Sequence, residues 1–272
     1  MRMQLHSLRQ PHSFASKLYN SFYMETFTLN DTEKTNQYVP DKSEKEYWDW
    51  WQDTNSTNAW ALRRSNVVLE WVKRLANGKP ARILDSGCGN GWFAVKLTEY
   101  GEVTGIDLSE AHMREAAEKY PHINFHSGDF ISFDLPLESF DIVVSQQVIA
   151  HVHDQEGYIN RIHELLVPGG HLALTTNNQF VLQRTASYQS HEELGHRENW
   201  LSKKQMLNLL RPGFNVIEYK TIIPTGSKGI LRLINSHKLN SFLGFFLSDE
   251  NIDKLKEKMG FGYIQMIIAQ KK

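Results

Sequence analysis

The sequence predicts an α/β fold: a doubly wound parallel sheet with helices on both faces. Three observations predict it. From residue 81 to residue 176, strand-like apolar runs alternate with helical patterns in steps of roughly 20 residues, the rhythm of consecutive β-α-β units. The first strand-like run, at 82–85, leads into the glycine turn Asp85-Ser86-Gly87-Cys88-Gly89-Asn90-Gly91 and then into a helical pattern. The polar residues Asp85, Asp107, Asp129, Gln146 and Gln147 all fall where those runs end. Open α/β sheets bind ligands at that edge.

The elements follow in order. Residues 1–40 are polar and lack periodicity, which predicts a poorly ordered lead-in. Residues 41–272 are expected to form a single domain. Its first part, 41–79, opens on the aromatic cluster Tyr47, Trp48, Trp50 and Trp51 and continues as a helix over 63–76, with Val68, Trp71, Val72 and Leu75 on one face. Asn77-Gly78 and Pro80 end that helix. The core, 81–176, has strands expected at 82–85, 103–107, 123–125, 140–145 and 171–176. Its helices are expected at 92–100, 109–120 and 158–166, the second capped by Ser109. Pro168-Gly169-Gly170 predicts a tight turn before the fifth strand. Beyond 176 the rhythm breaks. A helix over 202–210 is stopped by Pro212, and strands are expected at 215–221 and 263–269. Helical pieces at 230–234 and 252–259 lie between these two strands, in an insertion of the kind that serves as a lid or binding element. Residues 177–262 are thus expected to shape an acceptor pocket, and 263–272 to form the last strand.

Bulk properties narrow the function classes. The chain has 272 residues, of which 40% are hydrophobic and 22% charged, ordinary values for a folded domain with a sizeable core. A net charge of −1 gives no electrostatic footprint for nucleic acid or an acidic membrane surface. The one cysteine, Cys88, rules out an intrachain disulfide, so nothing calls for an oxidising compartment and a cytoplasmic location is expected. Residues 1–24 contain Arg2, Arg9 and Lys17 and no acid, which leaves organelle targeting open as an alternative. No apolar run is long enough for a membrane span. Monomer and homodimer are both compatible with the sequence.

The turn at 85–91 points to a cofactor. A dinucleotide fingerprint spaces its glycines G-x-G-x-x-G and seats a pyrophosphate on the following helix. Here the spacing is G-x-G-x-G, and Asp85 stands two residues before the first glycine. A carboxylate there repels a pyrophosphate and suits a ligand whose near end carries an ammonium group, as S-adenosylmethionine (SAM) does. Asp107 lies 107 − 87 = 20 residues past the first glycine, placed to accept ribose hydroxyls. Ser127-Gly128-Asp129-Phe130 follows the third strand. Two roles are open to Asp129, accepting the adenine amine or capping a turn. Phe130 can flank the adenine ring, and Met113 can pack its other face or belong to the core.

Taken with Phe140-Asp141-Ile142-Val143-Val144-Ser145-Gln146-Gln147 and Leu165-Leu166-Val167-Pro168-Gly169-Gly170, these motifs resemble, in order, the class I SAM-dependent methyltransferases. The resemblance implies a Rossmann-like seven-stranded sheet whose last strand runs antiparallel. It implies SAM, spent to S-adenosylhomocysteine (SAH), held by Asp85, Gly87, Gly89, Asp107 and Asp129, with Cys88, Gly91, Trp92, Leu108, Met113, Gly128, Phe130 and Gln146 around it. The nearest group is similar to the ubiquinone-biosynthesis O-methyltransferases, which act on small molecules. That group often shows Glu-His where this chain has Ala150-His151, and an acid where it has Gln147. The departures weaken any carry-over of metal assistance, and no H-E-x-x-H or Cys/His spacing of a metal site is present.

Methyl transfer to a hydroxyl needs collinear positioning and a base. His151, after the fourth strand, is the candidate base, with packing against a neighbour as its alternative role. His153 is expected in solvent, and His171 in a structural place. Acceptor contacts are expected from Tyr47, Trp51, Gln147, Asn177, His191 and His196, with Tyr188, Arg197 and Trp200 nearby in sequence; an ordinary surface loop is the alternative for each residue from 188 to 200. The aromatic cluster at 47–51 is either a lid or an anchor for the first helix. Arg63 or Arg64 can meet the cofactor carboxylate or lie on a solvated helix face. Phe242, Leu243, Phe245 and Phe246 suggest an apolar wall. An N-methyltransferase acting on an amine, peptide or protein, and a non-catalytic SAM-binding protein, are the competing classes. The glycine spacing argues against an NAD-dependent oxidoreductase.

Overall fold

The structure, a computed structural model, describes residues 59–185 and 198–272. The expectations for residues 1–40, Tyr47, Trp48, Trp50, Trp51, Tyr188, His191, His196 and Arg197 lie outside the described residues.

A helix α1 (Ala59–Ala76) precedes strand β1 (Ala81–Ser86). A short helix α2 (Ala94–Leu97) and a 3₁₀ turn lead to β2 (Gly101–Asp107), then α3 (Glu110–Lys119), β3 (Asn124–Ser127) and β4 (Phe140–Gln146). Helix α4 (Gln155–Leu165) leads to β5 (Leu166–Asn177), followed by α5 (Gln179–Leu182), α6 (Lys203–Leu210) and β6 (Phe214–Pro224). Three helices, α7 (Gly229–Ile234), α8 (His237–Leu243) and α9 (Asp249–Lys258), separate β6 from β7 (Gly262–Lys271). The strands form one seven-stranded sheet in the order β3-β2-β1-β4-β5-β7-β6. Neighbours pair in parallel except that β7 runs antiparallel to both β5 and β6.

The side-chain period of two explains how one sheet carries two cores. Leu84, Val143, Leu172, Leu174 and Ile267 face the helices α4 and α6, where they meet Tyr158, Ile162, Met206 and Leu210. Their neighbours Ile83, Ile142, Val144, Ala173, Met266 and Ile268 face the other way, against Val68, Trp71 and Val72 of α1 and Leu97 of α2. The central strands β1, β4 and β5 therefore carry largely apolar runs, buried on both faces. The end of the run, where polar residues take over, is the edge of the sheet that carries the site.

Two expectations need correction, and one helix is additional. Pro168-Gly169-Gly170 is not a turn before the strand but a bulge within it. Leu166 already pairs with Phe140, and His171 pairs with Ile142, so β5 spends 171 − 166 = 5 steps where β4 spends 142 − 140 = 2. Gly169, at φ +76°, absorbs the excess. The helix expected over 92–100 is a single regular turn that tightens into 3₁₀ at Thr98–Tyr100, because β2 starts at once with Gly101. A Cβ at Gly101 would lie 1.9 Å from the Ala81 carbonyl oxygen, so the two strands meet too closely for any other residue. Helix α8, started by Ser236 capping Leu239 N–H, was not expected from the sequence pattern. Among the described residues no helix is long and apolar enough to cross a membrane.

Candidate active site

Backbone bonds first shape the turn. The N–H groups of Gly87 and Cys88 both donate to the Ile106 carbonyl, at 2.8 and 3.2 Å, folding the turn over the end of β2. Gly87, Gly89 and Gly91 have φ of +72°, +54° and +75°, a region that side chains with a Cβ avoid. At Gly87 a Cβ would sit 2.2 Å from Val148 Cγ2, so the chain after β4 packs directly on the bare backbone. Asp107 ties the turn to the next helix: Oδ2 accepts from Gly89 N–H at 2.9 Å and Oδ1 from Ser109 N–H at 3.1 Å. Ser109 then caps α3 by accepting from His112 N–H at 3.1 Å, as expected.

Asp85 lies beneath this turn, only 2% exposed. Its Oδ2 has no hydrogen-bond partner among the described residues. Burial, and secondarily the charge of Asp107, push its carboxyl up to about 7. The Tyr158 hydroxyl bonds both Ser86 Oγ and Ser145 Oγ at 2.8 Å, making a neutral brace across the ends of β1 and β4. Burial pushes Tyr158 up to about 12, so it keeps its proton. An orphaned, desolvated carboxylate oxygen is costly, and a cationic partner removes the cost. The residues thus fit a ligand with an ammonium group.

The two arginine candidates separate. Arg63 turns outward to Glu257 at 2.5 Å. Arg64 turns inward, its Nε donating to Gln146 Oε1 at 3.1 Å, beside Ser65 Oγ, which donates to the same oxygen at 3.1 Å. Burial lowers Arg64 to about 10, still a full cation at neutral pH. Gln146 thereby fastens α1 to the site edge of β4.

Gln147 is the strained residue of the site. Its φ is +62°, and its N–H donates to the Thr175 carbonyl at 2.9 Å, which holds it there. Its side-chain Nε2 is buried without a partner among the described residues. Strain and an unsatisfied donor at one position are the usual marks of a functional constraint. The 3₁₀ turn Ile149–His151 follows. It is pinned from outside, since Gln155 Nε2 donates to Ile149 O at 2.9 Å and Asn199 N–H to Ala150 O at 2.7 Å. His151 stands edge-on to Trp200, ring centroids 5.6 Å apart. Trp200 packs with Ala150, Leu182 and Tyr263, and Tyr263 meets Trp60 at 5.0 Å. An aromatic wall therefore flanks His151. His153 is exposed, and His171 lies at the opposite end of the sheet, as expected.

Other expected contacts are placed less simply. Asp129 is exposed and caps its own turn, accepting from Ile131 N–H at 3.2 Å and Ser132 Oγ at 3.0 Å. Phe130 does not flank the cofactor edge: its ring is buried in the core against Tyr158, at 5.0 Å. Met113 is core too, packed with Ala116, Phe125 and Cys88, whose Sγ is 3.7 Å from the Met113 Sδ. Burial raises the Cys88 thiol well above its ordinary value, which makes it a small apolar side chain here. Gly128 N–H donates to the Asp107 carbonyl at 3.0 Å, and Leu108 is exposed beside Asp107. Trp92 is half-buried with Lys96 Nζ 5.2 Å from its ring centroid. Asn177 ends β5, its carbonyl accepting from Gln265 Nε2 at 3.3 Å. The Tyr158 brace and the strain at Gln147 escaped sequence reading. Tyr158 reads as one more apolar position of a helix, and a non-glycine residue carries no signal for positive φ. Among the described residues no group of His, Cys, Asp or Glu is placed to hold a metal ion.

Comparison with known proteins agrees with this geometry. Residues 84–174 match the family described as "Methyltransferase domain". The chain is 29% identical over 142 residues to a protein of Mycolicibacterium smegmatis named a probable S-adenosylmethionine-dependent methyltransferase, covering 52% of this chain and 49% of that one. It is 29% identical over 136 residues to the ubiquinone biosynthesis O-methyltransferase of Coxiella burnetii, covering 48% of this chain and 58% of that one. The chain thus spans about half the length of the curated relatives it matches. A SAM-dependent methyltransferase from Mesorhizobium loti shares the fold, with a TM-score of 0.56 and 21% identity over 76% of this chain and 97% of that one. The glycine turn, the buried acid below it, the acid at the end of β2 and the antiparallel seventh strand stand together in one chain, whose residues 84–174 match a methyltransferase domain and which is similar in fold and sequence to the class I SAM-dependent methyltransferases.

Proposed function

We propose that this chain moves a methyl group from SAM to the hydroxyl oxygen of a small-molecule acceptor, with His151 as the base. The observation that carries the cofactor half is the buried Asp85 with its orphaned Oδ2. In this reading Asp85 holds the ammonium of the cofactor's amino-acid end and Arg64 its carboxylate. The glycine turn admits its backbone, Asp107 accepts the ribose hydroxyls, and Leu108 and Asp129 meet the adenine. When bound, SAM supplies a methyl group already activated on a sulfonium. The protein's part is therefore positioning, exclusion of water and one proton transfer.

His151 suits that transfer because an imidazole can take a hydroxyl proton near neutral pH. Its ring is oriented by Trp200, and its backbone turn is held by Gln155 and Asn199. Gln147 offers its unpartnered amide N–H to an acceptor oxygen. The name of the Coxiella relative supports oxygen as the atom methylated. We read residues 41–272 as one domain, with 177–262 and the aromatic residues at 47–51 shaping the acceptor side, in a cytoplasmic enzyme that binds no nucleic acid.

Calorimetry with SAH tests the cofactor reading. Wild-type protein should bind it. Arg64→Met should bind roughly ten- to a hundredfold more weakly, the worth of hydrogen bonds to a charged group. Arg63→Met should bind like wild type, because Arg63 is engaged with Glu257. Absence of heat with folded wild-type protein refutes the proposal. Assays of SAH release over paired phenol and amine acceptors then test oxygen as the target.

A further inference from the structure

The net charge of −1 conceals a strong local asymmetry. From residue 219 to residue 248 the chain carries Lys220, Lys228, Arg232 and Lys238 and no acid. The same stretch holds an unusual density of exposed apolar side chains. Phe245 is 82% exposed and Phe246 75%, with Leu233 at 64%, Phe242 at 60% and Ile230 at 50%. Phe242 and Phe246 touch edge to face at 5.8 Å, so they form one patch rather than scattered side chains. Lys228, Arg232 and Lys238 are exposed on the same two short helices, α7 and α8, and their approaches. The first acids beyond the patch, Asp249 and Glu250, start α9, and Glu250 is paired with Lys254 at 2.6 Å.

We infer that this face docks on an anionic phospholipid surface. Phe245, Phe246 and Phe242 would enter below the headgroups, and Lys228, Arg232 and Lys238 would meet the phosphates. Exposed apolar side chains this dense along one short segment, two of them in ring contact, mark an interaction surface. Cations interleaved with Phe and Leu on short helices are the composition of interfacial segments, with each cation adding attraction to an anionic leaflet. A second copy of the chain is the poorer occupant: a two-fold pairing would bring the same cations together from both sides. The topology also gives the face a purpose. The segment leaves the sheet at Pro224 and returns at Gly262, and β6 is parallel to β1, so it rises from the edge that carries Asp85 and His151. Docking would bring that edge to the bilayer.

The test is co-sedimentation of the full chain with phosphatidylcholine vesicles, with and without phosphatidylglycerol. Wild type should pellet with the anionic vesicles and return to the supernatant at high salt. Phe245→Ser/Phe246→Ser and Lys228→Glu/Arg232→Glu/Lys238→Glu should each lower the bound fraction by about tenfold or more. All these side chains are exposed, so melting temperature and SAH binding should match wild type, which separates failure of docking from failure of the cofactor reading. Wild type that stays in the supernatant with anionic vesicles overturns the inference. So does vesicle binding that neither variant weakens. Self-association that the Phe variant dissolves, without vesicle binding, assigns the face to a second copy instead and equally overturns it.

Discussion

Replacing Asp85 by Asn removes one charge from a buried site while keeping its shape, and the structure fixes the sign of every consequence. The carboxyl rises from an ordinary 3.8 to about 7 on folding. At 1.36 kcal/mol per pH unit, that is a penalty of about 4 kcal/mol when the group is ionised. The folded state binds the proton more tightly than the unfolded chain. The penalty is therefore absent below pH about 4, grows between pH 4 and 7, and is complete above 7. Without ligand, Asp85→Asn should melt higher than wild type at pH 8, by roughly 8 to 16 °C at about 2–4 °C per kcal/mol for a domain of this size. The gap should close as the pH falls toward 4. Ligand reverses the order, because the ammonium needs the carboxylate. Asp85→Asn should lose SAM affinity by a factor of about 30 or more, as when one partner of a buried charge pair is removed. Wild type should release about one proton on binding SAM at pH 6 and almost none at pH 8.5, read by calorimetry in buffers of different ionisation enthalpy. A gap in melting temperature that ignores pH, or binding without proton release at pH 6, would refute a neutral, ammonium-seeking Asp85.

Other outcomes follow from the same geometry. Gly87→Ala should cost more than about 2 kcal/mol in denaturant unfolding, from strain at φ +72° and the Val148 clash, and Val148→Ala should restore part of it in a double-mutant cycle. Gln147→Gly should leave stability level or raise it by about 1 kcal/mol through relief of the φ +62° strain, while kcat/KM falls. A clear loss of stability would mean Gln147 is structural. His151→Ala should lower turnover far more than SAH affinity and remove the basic limb of the pH–rate profile; an unchanged profile would exclude it as the base.

The order of strands and the glycine turn were legible because each leaves a local trace, period-two apolar runs in one case and glycine spacing in the other. The places of Asp85 and Asp107 at strand ends and the cap at Ser109 are legible because each is set by its own strand or helix terminus. Asp107, expected to meet a ribose, holds the backbone N–H groups of Gly89 and Ser109 in the structure. Its removal should therefore loosen the turn as well as weaken SAM. Phe130 was misplaced because alternation could not tell which way the ring faces once the strand has ended. Arg63 and Arg64 are adjacent in a helix, and only the positions of Glu257 and Gln146, far away in sequence, separate them. Composition alone suggests that Phe242, Phe245 and Phe246 wall a pocket, whereas all three side chains are exposed. Their exposure is a tertiary fact that composition does not carry.

The place of β7 has a kinetic consequence. It is the last strand in sequence, yet it lies between β5 and β6, where Leu174 pairs with Ile267 and Tyr219 with Ile267 on the other side. Until it arrives, the apolar edge of β5 has no neighbour and β6 has nothing to pair with. Such long-range pairing is slow to form, and an open, apolar strand edge invites association between chains. Refolding should accordingly show a late phase in which two of the six strand pairings form together, with a yield that falls as protein concentration rises.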